Sequence, residues 1–241
     1  MPEQQSRSAA FKRYVGEFLV VFLGVWLSLL AQQWRQGRED QNAAQLALQG
    51  IVEDLQVDLD YMKGNLTRAR LAFEAADWLV SRRAGPSPSE DSVSLALTEI
   101  GPCSFPQWNI SQYSALKSSG DLNLIPDRGL RSSIAEYYES RPGLNWLHER
   151  DCDESSAVYE LLVPLVTLAI QPDVPALGRT PEFSAQVTGV PDVPGLFRDP
   201  VIMDRVVKLV SHRQFLMMWI TQDIERAQLL RDAIITDLDD Q

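Results

Sequence analysis

Residues 18–31 read Phe-Leu-Val-Val-Phe-Leu-Gly-Val-Trp-Leu-Ser-Leu-Leu-Ala, without a charged side chain. Extended back to Tyr14, the run covers about 18 residues, or ~27 Å of helix, against ~30 Å for the hydrocarbon core of a bilayer. Tyr14 and Trp34 stand at its ends as interfacial aromatics, with Lys12, Arg13, Arg35 and Arg38 beside them. Basic residues bracketing both ends predict a transmembrane anchor over 14–34 rather than a buried core helix. The run is too long for the apolar core of a signal peptide, and Leu29-Leu30-Ala31 lacks the small residue at −3 that cleavage needs.

The pattern then becomes a heptad. Leu48, Val52, Leu55, Leu59, Met62, Leu66, Ala69, Phe73, Ala76 and Val80 alternate steps of four and three. Glu53, Asp54, Asp58, Asp60, Lys63, Arg68 and Arg70 fall on other faces, so a helix over 38–82 should pack its seam on partners at a shallow angle. Gly85-Pro86 breaks it, and Ser89 opens a short helix ending before Gly101. Ser111 can cap a second short helix that Gly120 stops, and Asp127 a third that buries Leu130, Ile134 and Tyr137. Residues 144–170 read as helix kinked at Pro164, and 171–198, rich in Pro and Gly, as a long surface loop. Asp199-Pro200 starts the last long helix, with Met217, Ile220, Ile224, Ala227, Leu230, Ile234 and Leu238 on one face.

The expected fold is all-α: one N-terminal transmembrane helix plus an elongated bundle built on two long antiparallel helices. The chain divides into a tail (1–13), the anchor (14–34) and a helical domain (35–241). Basic residues slightly favour the N-terminal side of the span, which predicts a cytoplasmic N-terminus and a periplasmic domain in the bacterial inner membrane. Glu17, Gly24, Ser28 and Ala31 share one face of the span. Two readings fit them: a face that docks another helix, or a snorkelling Glu17 with incidental small residues.

The net charge of −11 and the absence of a basic cluster outside the anchor flanks argue against nucleic acid and against broad adhesion to anionic lipid. Cys103 and Cys152 are compatible with one disulfide outside the cytoplasm and equally with two unrelated thiols. Chemistry-bearing motifs are missing. There is no phosphate-binding glycine loop and no nucleophile elbow, and no cofactor motif appears. The only histidines are His148 and His212. The run His148-Glu149-Arg150-Asp151-Cys152-Asp153 gathers possible ligands without a zinc spacing. Ser118-Ser119-Gly120-Asp121 reads as a helix stop followed by an apolar plug of Leu122, Leu124 and Ile125. The carboxylate pairs Asp58 with Asp60 and Asp237 with Asp239 read as water-facing charge.

The segment Tyr14-Val-Gly-Glu-Phe-Leu-Val-Val-Phe-Leu-Gly-Val-Trp, the acidic amphipathic helix after it, and Tyr113-Ser-Ala-Leu-Lys-Ser-Ser-Gly-Asp-Leu-Asn-Leu-Ile with Tyr137-Tyr138 resemble an uncharacterised bacterial family of single-span membrane proteins. The likeness covers the anchor and about half the domain. Phe18 stands where isoleucine is usual and Asp121 where asparagine is. It implies the single-span topology and a helical domain, and supplies no activity. The functional expectation is a non-catalytic accessory or scaffolding subunit of an inner-membrane complex, for example photosynthetic or respiratory. Its partners would be other membrane subunits and the bilayer, as a homo- or hetero-oligomer. The alternative is a periplasmic ligand-binding or sensing bundle acting through another protein.

Overall fold

The computed structural model describes residues 3–101, 103, 108–173 and 182–240. The side chains of residues 3–18, 20–21, 142, 144, 170–173 and 182–185 lie outside that description, and with them the expectations for Lys12, Arg13, Tyr14 and Glu17. The chain is mostly helical: α1 (Glu3–Ser81), α2 (Glu90–Ile100), α3 (Ser111–Ser119), α4 (Arg128–Glu139), α5 (Arg141–Leu162), α6 (Val193–Arg198) and α7 (Pro200–Asp239), with a hairpin of β1 (Thr167–Asp173) and β2 (Glu182–Gly189).

α1 has no break between the apolar run and the heptad, so 79 residues form one rod of ~120 Å. Its bundle half buries two rows of seven-residue period. One is Leu48, Leu55, Met62, Ala69 and Ala76; the other is Ala44, Ile51, Asp58, Asn65, Ala72 and Leu79. Val52, Leu66 and Phe73 flank these rows half-buried, while Leu59 is enclosed. α7 mirrors this with Ile202, Leu209, Leu216, Asp223 and Leu230 beside Val206, Arg213, Ile220, Ala227 and Ile234. Met217 and Ile224 sit at the margin of that stripe.

The two helices run antiparallel. One apolar cluster joins α1 residues 48–62 to α7 residues 216–234, with Tyr113, Ile125, Ile134 and Tyr138 closing it. The other joins Ala76 and Leu79 to Ile202, Val206 and Leu209, covered by α2, α6 and β2. Seventeen buried residues in each make two cores of similar size, stacked along the long pair.

The local punctuation follows the chain's chemistry. Ser89 caps α2 through Ser92 N, Asp127 caps α4 through Gly129 N, and Asp199 caps α7 through Val201 N and Ile202 N. Gly120 ends α3 at φ 83°, a left-handed conformation that suits glycine. At Gly101 a Cβ would run into the Tyr159 ring, so a side chain there would displace that ring from the end of α2.

The 144–170 helix and the 171–198 loop differ from expectation. α5 stops at Leu162, a 3-10 turn holds Pro164, and the chain then enters β1. β1 and β2 pair antiparallel, with Leu168 opposite Val187 and Asp173 opposite Glu182. Phe183, Ala185 and Val187 alternate with Ser184, Gln186 and Thr188, the period of a half-buried strand. The prolines nearby outweighed that short signal. The hairpin leans on α2, where Val187 N donates to Thr98 Oγ1 (3.0 Å) and Val190 N to Glu90 Oε1 (2.9 Å). The described parts of 171–198 are therefore strand, a short turn over 190–192 and α6.

Candidate functional site

Within the span of the first apolar core the long helices also bring polar residues inside. Asp54 and Asp58 on α1 are buried, although the sequence placed Asp54 off the seam and read Asp58 as water-facing charge. Asp58 Oδ1 accepts from Asn109 N (2.9 Å), and Asp54 accepts from Asn109 Nδ2 (2.6 Å) and Gln112 N (3.2 Å). Gln112 N is one of the unpaired amides at the start of α3, so Asp54 caps that helix across 58 residues of sequence. Ser111, expected as the cap, is the first residue of α3, and the residue at the cap position, Ile110, has no side-chain acceptor.

Arg141 sits at the centre of this layer. Its guanidinium lies over the rings of Tyr137 (3.6 Å) and Trp108 (4.3 Å) and is ion-paired with Asp223 on α7. Tyr137 Oη donates to Asp58 Oδ2 at 3.4 Å, and Trp108 Nε1 to Asn145 Oδ1 at 2.9 Å. Burial pushes Asp58 up to about 6; the Asn109 N–H and Arg141 pull it down, and the charges of Asp54 and Asp223 push it further up. Burial likewise raises Asp223 against the pull of Arg141 and lowers Arg141 against the pull of Asp223. Their direct contact keeps both charged, because an arginine does not give up its proton in a protein. A void of ≈10 Å³ adjoins the pair, walled by Asn65, His148, Trp219 and Asp223 among others, room for about one water.

A second buried group lies further along. Arg213 on α7 donates from Nε to Asp151 Oδ1 (2.7 Å) and from Nη2 to Ser155 Oγ (2.8 Å) and the carbonyl of Ile100 (3.3 Å). That carbonyl closes α2, where a cation is favoured by the helix dipole. Burial raises Asp151, with Arg213 opposing. The next residue, Cys152, forms a disulfide with Cys103 just beyond α2, so a covalent tie lies beside the Arg213 group that links α7 to α5 and to the end of α2. His212 stands on the rim beside Glu154, which also faces Arg205 (3.3 Å).

The contacts described here are of cation with carboxylate and of amide with carboxylate, and they tie α1, α5 and α7 together. Among the described residues, no cluster of three His, Cys, Asp or Glu side chains is placed to hold a metal ion. In the 148–153 run, His148 and Asp151 are buried, Cys152 is bonded, and Glu149, Arg150 and Asp153 face water. Ser118 and Ser119 turn their hydroxyls onto the carbonyls of Ala115 (2.9 Å) and Leu116 (3.3 Å), and Ile125 plugs the core behind them.

The apolar stretch of α1 is uncovered. Leu19, Phe22, Leu23, Val25, Trp26, Leu27, Leu29 and Leu30 are 41–59 % exposed and point to every side of the helix. Gly24, Ser28 and Ala31 are exposed among them, and Ser28 Oγ donates to the Gly24 carbonyl (2.8 Å), which satisfies the hydroxyl within the helix. Arg38 lies over the Trp34 ring at 4.3 Å, and Arg35 pairs with Glu39 at 3.5 Å. Among the described residues no helix is long and apolar enough to cross a membrane, and the side chains described for this run begin at Leu19.

The sequence reading missed Asp54, Asp58, Arg141, Arg213 and Asp223. The signal was a polar residue at a seven-residue step within an apolar row, as Asp58 is between Ile51 and Ala72 and Arg213 between Val206 and Ile220. No protein family, curated protein or solved structure matches this chain.

Proposed function

We propose that this protein is a non-catalytic accessory or scaffolding subunit of a larger bacterial inner-membrane assembly. Its N-terminus is cytoplasmic, one helix spans the bilayer, and the helical domain stands in the periplasm. The observation that carries this reading is the bare apolar stretch of α1, continuous with the helix that forms the spine of the bundle. An apolar surface exposed all round needs lipid or other helices to cover it. A rod without a joint transmits position from membrane to domain, as a subunit that sets geometry requires. The Cys103–Cys152 bond supports a compartment where disulfides persist. The face of Glu17, Gly24, Ser28 and Ala31 is where another subunit's helix would dock.

The full chain, tagged at its C-terminus and purified in mild detergent, should resist alkaline extraction from membranes and bring stoichiometric membrane partners with it. Recovery from the aqueous fraction, or a clean monomer in detergent, would overturn the reading.

A further inference from the structure

Beside the buried Arg141–Asp223 pair, α5 and α7 leave a groove of ≈280 Å³ open to solvent. Gly143, Trp146 and Leu147 wall it from α5, and Phe215, Trp219 and Arg226 from α7. Trp146 is 57 % exposed and Phe215 45 %, and Phe215 meets Trp219 edge to face at 6.0 Å between ring centres. Nothing lies within 4 Å of where a Cβ on Gly143 would stand, so this wall is open to a guest. A cavity of ~150 Å³ takes one benzene, so this space suits about two fused rings.

One charged side chain selects what enters. Arg226 is the one charged residue in the lining, on a chain of net charge −11, and the nearby Asp223 carboxylate is taken by Arg141. An apolar, aromatic-walled slot with a guanidinium at its edge is complementary to a flat ring system bearing an acid group.

We propose that the α5–α7 groove is a binding site for a small aromatic carboxylate. The rings insert between Trp146 and Phe215, and the acid group meets Arg226. This is independent of the assembly role: the groove lies on the bundle, far along α1 from the anchor, and would serve an accessory subunit and a free-standing one alike. It also gives the alternative of a ligand-binding bundle a definite location.

The test is calorimetric titration of the full chain in lipid nanodiscs, with empty nanodiscs subtracted, using 2-naphthoate and its neutral twin 2-naphthalenemethanol. Saturable binding at one site per chain is expected, with the acid about fivefold or more tighter than the alcohol. Arg226→Gln should erase that preference. Trp146→Ala, at an exposed position that leaves the bundle intact, should weaken both probes about tenfold, and Leu229→Ala, on the exposed face of α7 outside the groove, should change neither. Absence of saturable heat, equal affinity for acid and alcohol, or equal effects of Trp146→Ala and Leu229→Ala would overturn the assignment.

Discussion

Arg141, the first residue of α5, is ion-paired with Asp223 on α7 across 82 residues of sequence, with side chains only 3 % and 5 % exposed. The pair faces Asp58 on α1, so three helices from distant parts of the chain meet at one guanidinium. An apolar residue in place of Arg141 would strand two carboxylates in the interior. Arg141→Met should therefore destabilise the protein by about 3–5 kcal/mol, the scale for breaking a buried pair. Asp223→Leu together with Arg141→Met should recover much of that loss, because the apolar pair needs no desolvation of charge. Urea denaturation followed by circular dichroism gives the coupling. Strictly additive single effects would show that the two residues do not act as a unit.

Asp58 ties stability to pH. Burial holds it near 6 in the folded protein, above its ordinary 3.8. A carboxyl raised by folding holds its proton more tightly in the native state, so its contribution is full below about pH 4 and is lost as the pH rises through 6. Two pKa units correspond to roughly 3 kcal/mol. Asp58→Asn should remove this dependence while keeping an acceptor for Asn109. Relative to that variant, the natural protein should weaken progressively between pH 4 and 7 and run parallel above it. Asp54 and Asp223 are raised in the same direction, so the difference between the two curves is the quantity to read. A difference independent of pH would mean that Asp58 does not titrate in this window.

Asp54 and Ser111 divide the capping of α3 in a way that substitution separates. Asp54 accepts from Gln112 N and Asn109 Nδ2, whereas Ser111 Oγ donates to Asn109 Oδ1 (2.9 Å) at the surface. Asp54→Ala should cost about 1–2 kcal/mol and Ser111→Ala less than about 0.5. The reverse order would return the cap to Ser111.

The contrast between these residues shows what the sequence could reveal. Helix caps that act within four residues, at Ser89, Asp127 and Asp199, are written locally and were readable, as was the left-handed stop at Gly120. Asp54 caps a helix 58 residues away, and no local pattern records that. The row Leu48, Leu55, Met62, Ala69 and Ala76 follows from periodicity. Its companion row is interrupted by Asp58 and Asn65, so an apolar count moves the stripe one residue along, to Val52, Leu66 and Phe73. Asp58 becomes core only because Arg141, Asn109 and Tyr137 arrive from elsewhere in the chain. The α5–α7 groove was invisible for the same reason: Trp146 and Phe215 are separated by most of α5, the hairpin and α6.

The Cys103–Cys152 bond closes a stretch of 49 residues that holds α3 and α4. Chain entropy for a loop of that length corresponds to about 4 kcal/mol, so replacing both cysteines by serine should lower stability by about 2–4 kcal/mol. The bond also tests the proposed topology without a partner in hand. Chain taken from membranes in the presence of an alkylating agent, with no reductant, should carry no label at either cysteine. The same chain with its first 34 residues deleted and held in the cytoplasm should be labelled at both. Cys103 is exposed and Cys152 enclosed, so labelling after reduction should begin at Cys103. Two free thiols in the membrane-derived protein would place the domain in a reducing compartment and reverse the orientation assigned to α1.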